Sequence, residues 1–310
     1  MDNFLTVAGQ VAILFVLMGV GALLRKADLL KESAIEGLVN LLLLVVTPCL
    51  IVDVFQRPFS PEMLGGLGLA FMIAVLGHAV VILLAYLMVR HRDENVCRPM
   101  RLAAVFSNAG FMGLPLEQAV LGDTGVFYGV VYVVVFNLVM WSWGYGVMRK
   151  EKGKTRFDIH CLVNPGTVGV AFGLPLFFLS AKLPACVGSP IHLISGLNTP
   201  LAMMVIGYCL VGAKLGKVLR MPVVYVATAI RLVVYPLLVV AAMYPFRHQL
   251  NHDMTVAITV SASAPVAAMV SMFAAKFGRD VETSVAAVSG STLLSILTMP
   301  PVIALAMSVL

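Results

Sequence analysis

The sequence predicts an all-α polytopic membrane protein with ten membrane-spanning helices in two inverted five-helix repeats. Two observations establish the class: 60% of the residues are hydrophobic and only 12% are charged, and the mean hydropathy is +0.99. Soluble domains are about one quarter charged, so this composition excludes a water-soluble globular protein. A third observation, the distribution of the basic residues, supports the number and direction of the helices.

Ten uncharged runs are long enough to cross a bilayer, which takes about 20 helical residues. The first run follows Asp2 and precedes Arg25 and Lys26, a polarity opposite to that of a signal peptide, so we expect this helix to be retained. The connections are short and leave no room for a soluble domain. The predicted spans cover approximately residues 3–24, 34–55, 64–89, 101–119, 124–148, 161–181, 187–213, 221–246, 254–275 and 283–309.

Basic residues alternate between successive connections. Of the 21 Lys and Arg residues, 17 lie on odd-numbered connections, 3 on even-numbered ones and one, Arg231, inside a span. Positively charged loops stay on the cytoplasmic side, so we expect the odd connections there and both termini outside. The excess of base is therefore a topology signal, and we expect no nucleic-acid partner.

The chain divides near residue 155 into halves, 1–155 and 156–310, with five predicted spans each. An odd number of spans makes the second half enter the membrane from the opposite side, which is the inverted-repeat plan of many secondary transporters. Related polar or helix-kinking residues recur at offsets of 152 or 153 positions: Thr47-Pro48 with Thr199-Pro200, His78 with Arg231, and Asn108 with Ser261.

Spans 4 and 9 carry residues that interrupt helices. Span 4 contains SNAGFMGLP (107–115), and span 9 contains TVSASAPVAAMVSMF (259–273). Proline removes a backbone N–H and glycine eases unwinding, and the freed backbone groups must be buried in protein or line a wet cavity. Interrupted spans in both halves indicate a transporter site near the midplane, where half-helix N-termini attract a carboxylate. The alternative is a proline kink packed by glycines.

Four motifs occur in order along nearly the whole chain: TPCLI (47–51), FSNAGFMGLPL (106–116), NPGTVGVAFGLPL (164–176) and TPLAMMVIG (199–207). With these motifs the chain resembles the auxin efflux carrier family, which includes bacterial malonate-type carriers and resembles the plant PIN-type exporters. The resemblance implies a ten-helix fold with crossed, broken helices 4 and 9. It also implies an elevator-like exchange, with spans 3–5 and 8–10 moving against a scaffold of spans 1, 2, 6 and 7, and a homodimer formed through that scaffold. The long cytoplasmic loop of many plant members is absent here.

The resemblance places the substrate at the interruptions. Asn108 matches the polar position of the family's span 4 motif, and its neutral amide can donate to a carboxylate without the full cost of a buried charge. We expect Gly110, Gly113 and Pro115 to shape the crossing together with Ser261, Ser263 and Pro265. For the two serines, a hydrogen bond to the preceding turn is an equal alternative. Asn137 in span 5 faces either the pocket or a neighbouring helix.

Two polar residues lie deep inside spans. Arg231 is about ten residues into span 8, and an intramembrane arginine is expensive enough to suggest a function. It either sets a positive potential for an anion, or it pairs with an acidic group or with helix-end carbonyls as a structural element. His78 is a candidate proton carrier, since histidine titrates near neutral pH, although a hydrogen-bonded neutral histidine is the favoured interpretation.

Two acids are further candidate proton sites. Asp53 lies near the outer end of span 2 and Glu117 closes span 4, and for both we favour ordinary solvation at the membrane interface. We identify no acid at the predicted crossing, which disfavours sodium coupling and leaves uniport or a proton-linked mechanism. Thr47 and Pro48, with Thr199 and Pro200, are expected to let the scaffold helices bend, or else to form simple packing kinks.

The function predicted from the residues and the resemblance is secondary transport of a small organic anion, plausibly a mono- or dicarboxylate, in a bacterial inner membrane. A membrane-embedded ligand sensor would use the same fold without flux. We expect no enzyme activity, because nucleophile, zinc-peptidase and phosphate-loop motifs are missing from the sequence. No metal and no cofactor are expected. The partners would be the anion, the lipid bilayer, a second copy of the chain and, as a candidate coupling ion, the proton.

Overall fold

The structure, a computed structural model, describes residues 2–149, 165–211 and 221–310. Within these ranges the regular secondary structure is helical, and no strand is present. The helices are α1 (Asp2–Lys26), α2 (Glu32–Phe55), α3 (Pro61–Met88), α4 (Glu94–Val105), α5 (Ala109–Met148), α6 (Pro165–Phe178), α7 (Ala185–Val211), α8 (Pro222–Phe246), α9 (His252–Ser263), α10 (Met269–Lys276) and α11 (Val281–Val309).

Seven of the described helices are long and apolar enough to cross a membrane, and α6 is a shorter apolar helix. This number is smaller than our ten predicted spans for three reasons. Span 9 is divided into α9 and α10, the end of span 4 is continuous with span 5 in α5, and α6 has 14 described residues. The ten crossings stay a prediction. The start of span 6, the end of span 7, the boundary between the halves and most basic residues of the fifth and seventh connections lie outside the described residues.

Several helices begin where the sequence supplies a capping side chain. A side-chain oxygen just before the helix accepts a hydrogen bond from a backbone N–H of the first turn, which satisfies one of the donors that a helix leaves free. The bonded pairs are Ser60 with Met63, Asp93 with Asn95, Asn251 with Met254 and Asp280 with Thr283. Local sequence therefore fixes the starts of α3, α4, α9 and α11.

Helix α5 turns back on itself at Gly122. Its 40 residues would measure about 60 Å as a straight helix, twice the thickness of a bilayer core. Gly122 has φ +64° and ψ −153°, a conformation that glycine adopts without a steric penalty. The limb after Gly122 packs on the limb before it, so that a Cβ at Gly125 would lie 2.8 Å from the carbonyl oxygen of Glu117.

Helices α1, α2, α6 and α7 pack closely through glycines. A Cβ at Gly21 of α1 would collide with the backbone of Met204, and one at Gly207 of α7 would collide with the backbone of Met18. In the same way Gly173 of α6 lies against Phe55 of α2. Small residues let helix backbones approach closely, which is how helices associate in lipid.

Both Thr-Pro pairs follow an irregular turn. A π-helical turn, Leu42–Val46, precedes Thr47, whose Oγ1–H donates to the Leu42 carbonyl at 2.8 Å. In α7 the regular helix is interrupted at residues 196–197, just before Thr199 and Pro200. The irregular turns agree with the positions expected for hinges, and bending there stays a prediction.

An apolar cluster joins α1, α2 and α7 to the start of α5, to α9 and to the second half of α11. Val11, Leu14 and Met18 of α1 belong to the same buried cluster as Met112 and Leu116 of α5. The cluster also contains Leu42, Val46, Ala202, Met203, Val205, Tyr208, Val256, Val260, Ala264, Met299 and Ile303. We call this the scaffold-facing cluster. It brings the two interrupted spans against α1 and α7.

Candidate substrate site at two interrupted helices

Two non-helical segments, residues 106–108 and 264–268, interrupt the predicted spans 4 and 9 and lie side by side. Ser107 and Val266 form an antiparallel bridge. The backbone N–H of Asn108 donates to the Pro265 carbonyl at 2.6 Å, and the N–H of Ala267 donates to the Phe106 carbonyl at 2.9 Å. We call this pair of segments the crossing. Each segment thus satisfies backbone groups that the other helix break leaves free.

Arg231 joins the C-terminal ends of the two helices that lead into the crossing. Its side chain is fully buried, with Nη1 donating to the Val105 carbonyl at 2.7 Å and Nη2 donating to the Ala262 carbonyl. The guanidinium lies 4.7 Å from the centre of the Tyr235 ring. A cation at a helix C-terminus is favourable because the carbonyl ends carry partial negative charge.

This position corresponds to the helix-end alternative that the sequence left open for Arg231. The arginine stabilises α4 and α9 at the point where both lose their regular hydrogen bonds. Direct contact between Arg231 and a substrate stays a prediction.

The N-terminal end of α5 differs from those C-terminal ends. It begins with a π-helical turn, Ala109–Gly113, which no side chain caps. The Asn108 carbonyl accepts from the N–H groups of Met112 and Gly113, while its side-chain amide is 8% exposed and makes no hydrogen bond within the described residues. A Cβ at Gly110 would meet no atom within 4 Å. Unpaired N–H groups and an amide beside open space suit an anion.

Helix α10 also begins without a side-chain cap, at Ala268. Pro115 lies buried in the turn after the π-helical segment. Gly113 lies in contact with α9, since a Cβ there would lie 3.4 Å from Ser261 Oγ and 3.5 Å from Ser261 Cα. The structure therefore brings Asn108, Gly110, Gly113, Pro115, Ser261 and Pro265 into one region, as the sequence predicted, while their role in binding stays a prediction.

Glu117 is the acid that our sequence analysis did not place at the crossing. We expected ordinary solvation, and this was wrong: Glu117 is 0% exposed. Ser261 Oγ–H donates to Oε1 at 2.6 Å, and Oε2 has no hydrogen-bond partner among the described residues. The carboxyl group lies directly against Gly129, where a Cβ would overlap it. The reversal at Gly122 causes this burial, because it folds the second limb of α5 over the first.

His78 lies behind the crossing. It is 1% exposed, its Nδ1–H donates to the Ala74 carbonyl at 2.8 Å, and its Nε2 has no partner among the described residues. The ring centre lies 5.0 Å from that of Tyr132 and 6.4 Å from that of Phe106. One nitrogen is satisfied within its own helix, as the favoured interpretation expected, and proton transfer by His78 stays a prediction.

Asp53 joins α2 and α7. Its Oδ2 accepts from His192 Nδ1–H at 2.9 Å and from Ser195 Oγ–H at 2.7 Å, and its side chain is 21% exposed. The carboxylate is therefore paired between α2 and α7, whereas we expected simple solvation.

Ser263 and Asn137 make hydrogen bonds within their own helices. Ser263 Oγ–H donates to the Val260 carbonyl at 2.9 Å, and Asn137 Nδ2–H donates to the Val133 carbonyl at 2.8 Å. These bonds match the back-bonding alternative for Ser263. For Asn137 the bond lies within its own helix, and whether it faces the pocket or a neighbouring helix stays a prediction.

Sequence reasoning missed several residues around the crossing. Ser107 is buried with an unpartnered hydroxyl, and Ser291 of α11 accepts from the Val266 N–H at 3.0 Å. Tyr235 could have been found from the sequence, because it follows Arg231 by one helical turn and an aromatic ring at that spacing can face the guanidinium. Gly129 and Ser291 are distant in sequence and gave no signal.

In the described part of the chain, seven long apolar helices packed around a buried polar crossing are typical of an integral membrane protein. The sequence profile of the family described as membrane transport protein matches residues 6–158 and 155–303. The chain therefore belongs to this family, the auxin efflux carrier and PIN-like family that the motifs indicated. It is also similar to an uncharacterized transporter of Methanothermobacter thermautotrophicus, with 25% identity over 293 residues, 92% of this chain and 93% of the relative.

Proposed function

We propose that this protein is a secondary carrier that moves a small organic anion, a mono- or dicarboxylate, across the membrane. The observation that carries this proposal is the asymmetry of the crossing. The helix ends that would repel an anion are occupied by Arg231, whereas the N-terminal end of α5 is uncapped and carries the unpartnered amide of Asn108.

A carboxylate fits this end of α5 for two reasons. Free N–H groups and the helix dipole favour negative charge there, and the Asn108 amide offers two further N–H donors. Gly110 leaves space beside them. A neutral site of this kind can bind and release an anion without leaving a buried charge behind when it is empty.

Alternating access by an elevator movement belongs to the same proposal. The crossing is built from α4, α5, α9 and α10, and it meets α1 and α7 through the scaffold-facing cluster, which is apolar. The glycine-packed pairs α1–α7 and α2–α6 would form the fixed scaffold. We include in the proposal ten membrane crossings in two inverted repeats, a homodimer through the scaffold, both termini outside, and a bacterial inner membrane.

A ligand sensor is the second candidate, because a protein that binds an anion at the crossing without moving would use the same residues. Transport and sensing differ only in flux, so flux is the property to measure.

The test is counterflow in proteoliposomes. Vesicles that contain the purified protein are loaded with one unlabelled mono- or dicarboxylate, and uptake of a labelled acid is followed. We expect exchange with the wild-type protein and a loss of about 100-fold with Asn108→Ala, since the substitution removes the amide donors from a buried site. Ser142→Ala is the matched control: Ser142 is exposed and bonds the Leu138 carbonyl of its own helix at 2.6 Å.

Full exchange by Asn108→Ala would reject the site. The wild-type protein must also elute as a folded species and bind an acid in a thermal-shift assay. If such protein exchanges none of the acids, the carrier function is rejected and the sensor is favoured.

A further inference from the structure

We propose that Glu117 binds the transported proton, and that its position beside Ser261 and Gly113 links proton binding to anion binding at Asn108. The inference rests on the proposed carrier function and adds a coupling ion to it. It begins from the Glu117 side chain, which is 0% exposed and which, in the part of the chain that the structure describes, has one hydrogen bond and one oxygen without a partner.

No cation neutralises this carboxyl group within the described residues. Arg231, the buried cation at the crossing, donates from Nη1 and Nη2 to the carbonyls of Val105 and Ala262 and makes no ion pair with Glu117, although its Nε has no partner among the described residues. Helices α1, α2, α3, α6, α7 and α9 pack against the part of α5 that carries Glu117. The titratable or charged side chains described on these helices and on α5 include Asp123, Tyr128, Tyr132 and Tyr145 on α5, Glu62, His78 and Tyr86 on α3, His252 and Asp253 on α9, Glu32, Glu36, Cys49 and Asp53 on α2, Arg25 and Lys26 on α1, and Cys186, His192, Tyr208 and Cys209 on α7. Glu117 is hydrogen-bonded or ion-paired with none of them.

A carboxylate in such a place is costly, because neither water nor a countercharge replaces its hydration. A proton on Oε2 removes that charge and leaves the bond between Ser261 Oγ–H and Oε1 in place. The chemistry balances with no other reactant: the carboxylate takes up one proton to become a neutral acid, and it releases the same proton later.

A metal cation fits this place less well than a proton does. Sodium and other hard cations take several oxygen ligands. The described residues contain no cluster of three or more His, Cys, Asp or Glu side chains, and one face of the carboxyl group is filled by Gly129. A proton needs one lone pair, and Oε2 has it free.

Glu117 is connected to the substrate region through two short links. Along α5 it follows Gly113 by four residues, one helical turn. Across the crossing, its partner Ser261 lies on α9, and Gly113 packs against the same serine. Ionised Glu117 would draw water into this contact and would repel an anion at Asn108. Proton binding therefore precedes or accompanies anion binding, and the two move together.

The experiment distinguishes proton coupling from anion exchange. Counterflow exchanges one anion for another at equal pH and needs no net proton movement, whereas uptake driven by a pH difference does. With one proton per monoanion, we expect the wild-type protein to accumulate label about tenfold per unit of pH difference. Glu117→Gln should retain counterflow within about twofold and lose the accumulation, since the amide keeps the shape and binds no proton.

Asp123→Asn is the matched control, because Asp123 is an exposed acid on the same helix that bonds Gln118. We expect it to accumulate label as the wild type does. Accumulation by Glu117→Gln equal to that of the wild type would overturn the inference, as would a loss of accumulation in Asp123→Asn of the same size.

A second variant keeps the inference testable if Glu117→Gln does not fold. Ser261→Ala retains the acid and removes the donor that stabilises its charged form, so the pH midpoint of uptake should move to higher pH. An unchanged midpoint would overturn the proposal. If wild-type protein shows no counterflow with any acid, the carrier function fails. Proton binding by Glu117 is then judged by infrared difference spectra at acidic and alkaline pH, in which the carboxylic C=O band must vanish in Glu117→Gln.

Discussion

The two halves of the crossing differ in how completely their polar groups are satisfied. In the first segment, residues 106–108, the buried Ser107 hydroxyl and the side-chain amide of Asn108 make no hydrogen bond with the described residues. In the second segment, residues 264–268, Pro265 has no backbone N–H, and the Val266 N–H donates to Ser291 Oγ. The first segment retains donors for a ligand, and the second is fixed to α11.

We infer that the two segments of the crossing have different roles, although both appear in the sequence as interruptions of a span. A buried donor left unpaired costs free energy, so it persists where a ligand or water uses it. A loop whose buried backbone groups are hydrogen-bonded avoids the penalty of unpaired donors and acceptors. We therefore expect binding to depend on the first segment and positional stability on the second, with Arg231 serving both.

The largest effect should come from Arg231→Gln, which tests whether both segments share one support. The substitution removes two charge-assisted hydrogen bonds and leaves the carbonyls of Val105 and Ala262 buried, a loss of about 3 kcal/mol or more. We expect a lower melting temperature of the purified protein and weaker function of both segments. If stability is unchanged and only substrate affinity falls, Arg231 contacts the anion and the supporting role is wrong.

A smaller effect is expected from Gly110→Ala, which probes the open side of the first segment. An added methyl group meets no protein atom within 4 Å, so folding should be preserved while the space for the substrate is reduced. We expect affinity to fall several-fold, and more for the larger acids of a series, by competition in counterflow. Gly68→Ala on α3 is the control, since a methyl group there also meets nothing within 4 Å. Equal effects of the two substitutions would place the pocket elsewhere.

The smallest effect is expected from Ser291→Ala, which probes the anchor of the second segment. The Val266 N–H loses its acceptor, a cost of about 1 kcal/mol. Thermal stability should fall slightly while the apparent affinity for the anion stays at the wild-type value. A loss of affinity without a loss of stability would contradict the division between the two segments.

Much of the fold follows from local sequence. Apolar run length predicts α1, α3, α8 and α11, and capping residues place several helix starts. The interruptions were also visible, because Asn108, Gly110 and Pro265 are poor residues for the middle of a span.

The environment of Glu117 could not be predicted in the same way. Its burial depends on a reversal at Gly122 that no hydropathy pattern shows, and on a partner, Ser261, that is 144 residues away. The polarity of Glu117 at the end of an apolar run favoured the membrane interface. Likewise, two roles for Arg231 were open from the sequence, and only its hydrogen bonds to two helix ends reveal the supporting one. Tertiary contacts decide such cases, and a single sequence does not contain them in local form.

The scaffold-facing cluster has a consequence for the temperature dependence of any movement across it. Its side chains, among them Leu14, Met18, Met112, Leu116 and Val260, are apolar, and contacts between such groups have no preferred direction. A displacement that exchanges one apolar neighbour for another leaves the exposed apolar area nearly constant, so its heat-capacity change is small. The movement would then have an activation enthalpy that varies little with temperature, and its rate would follow the fluidity of the surrounding lipid.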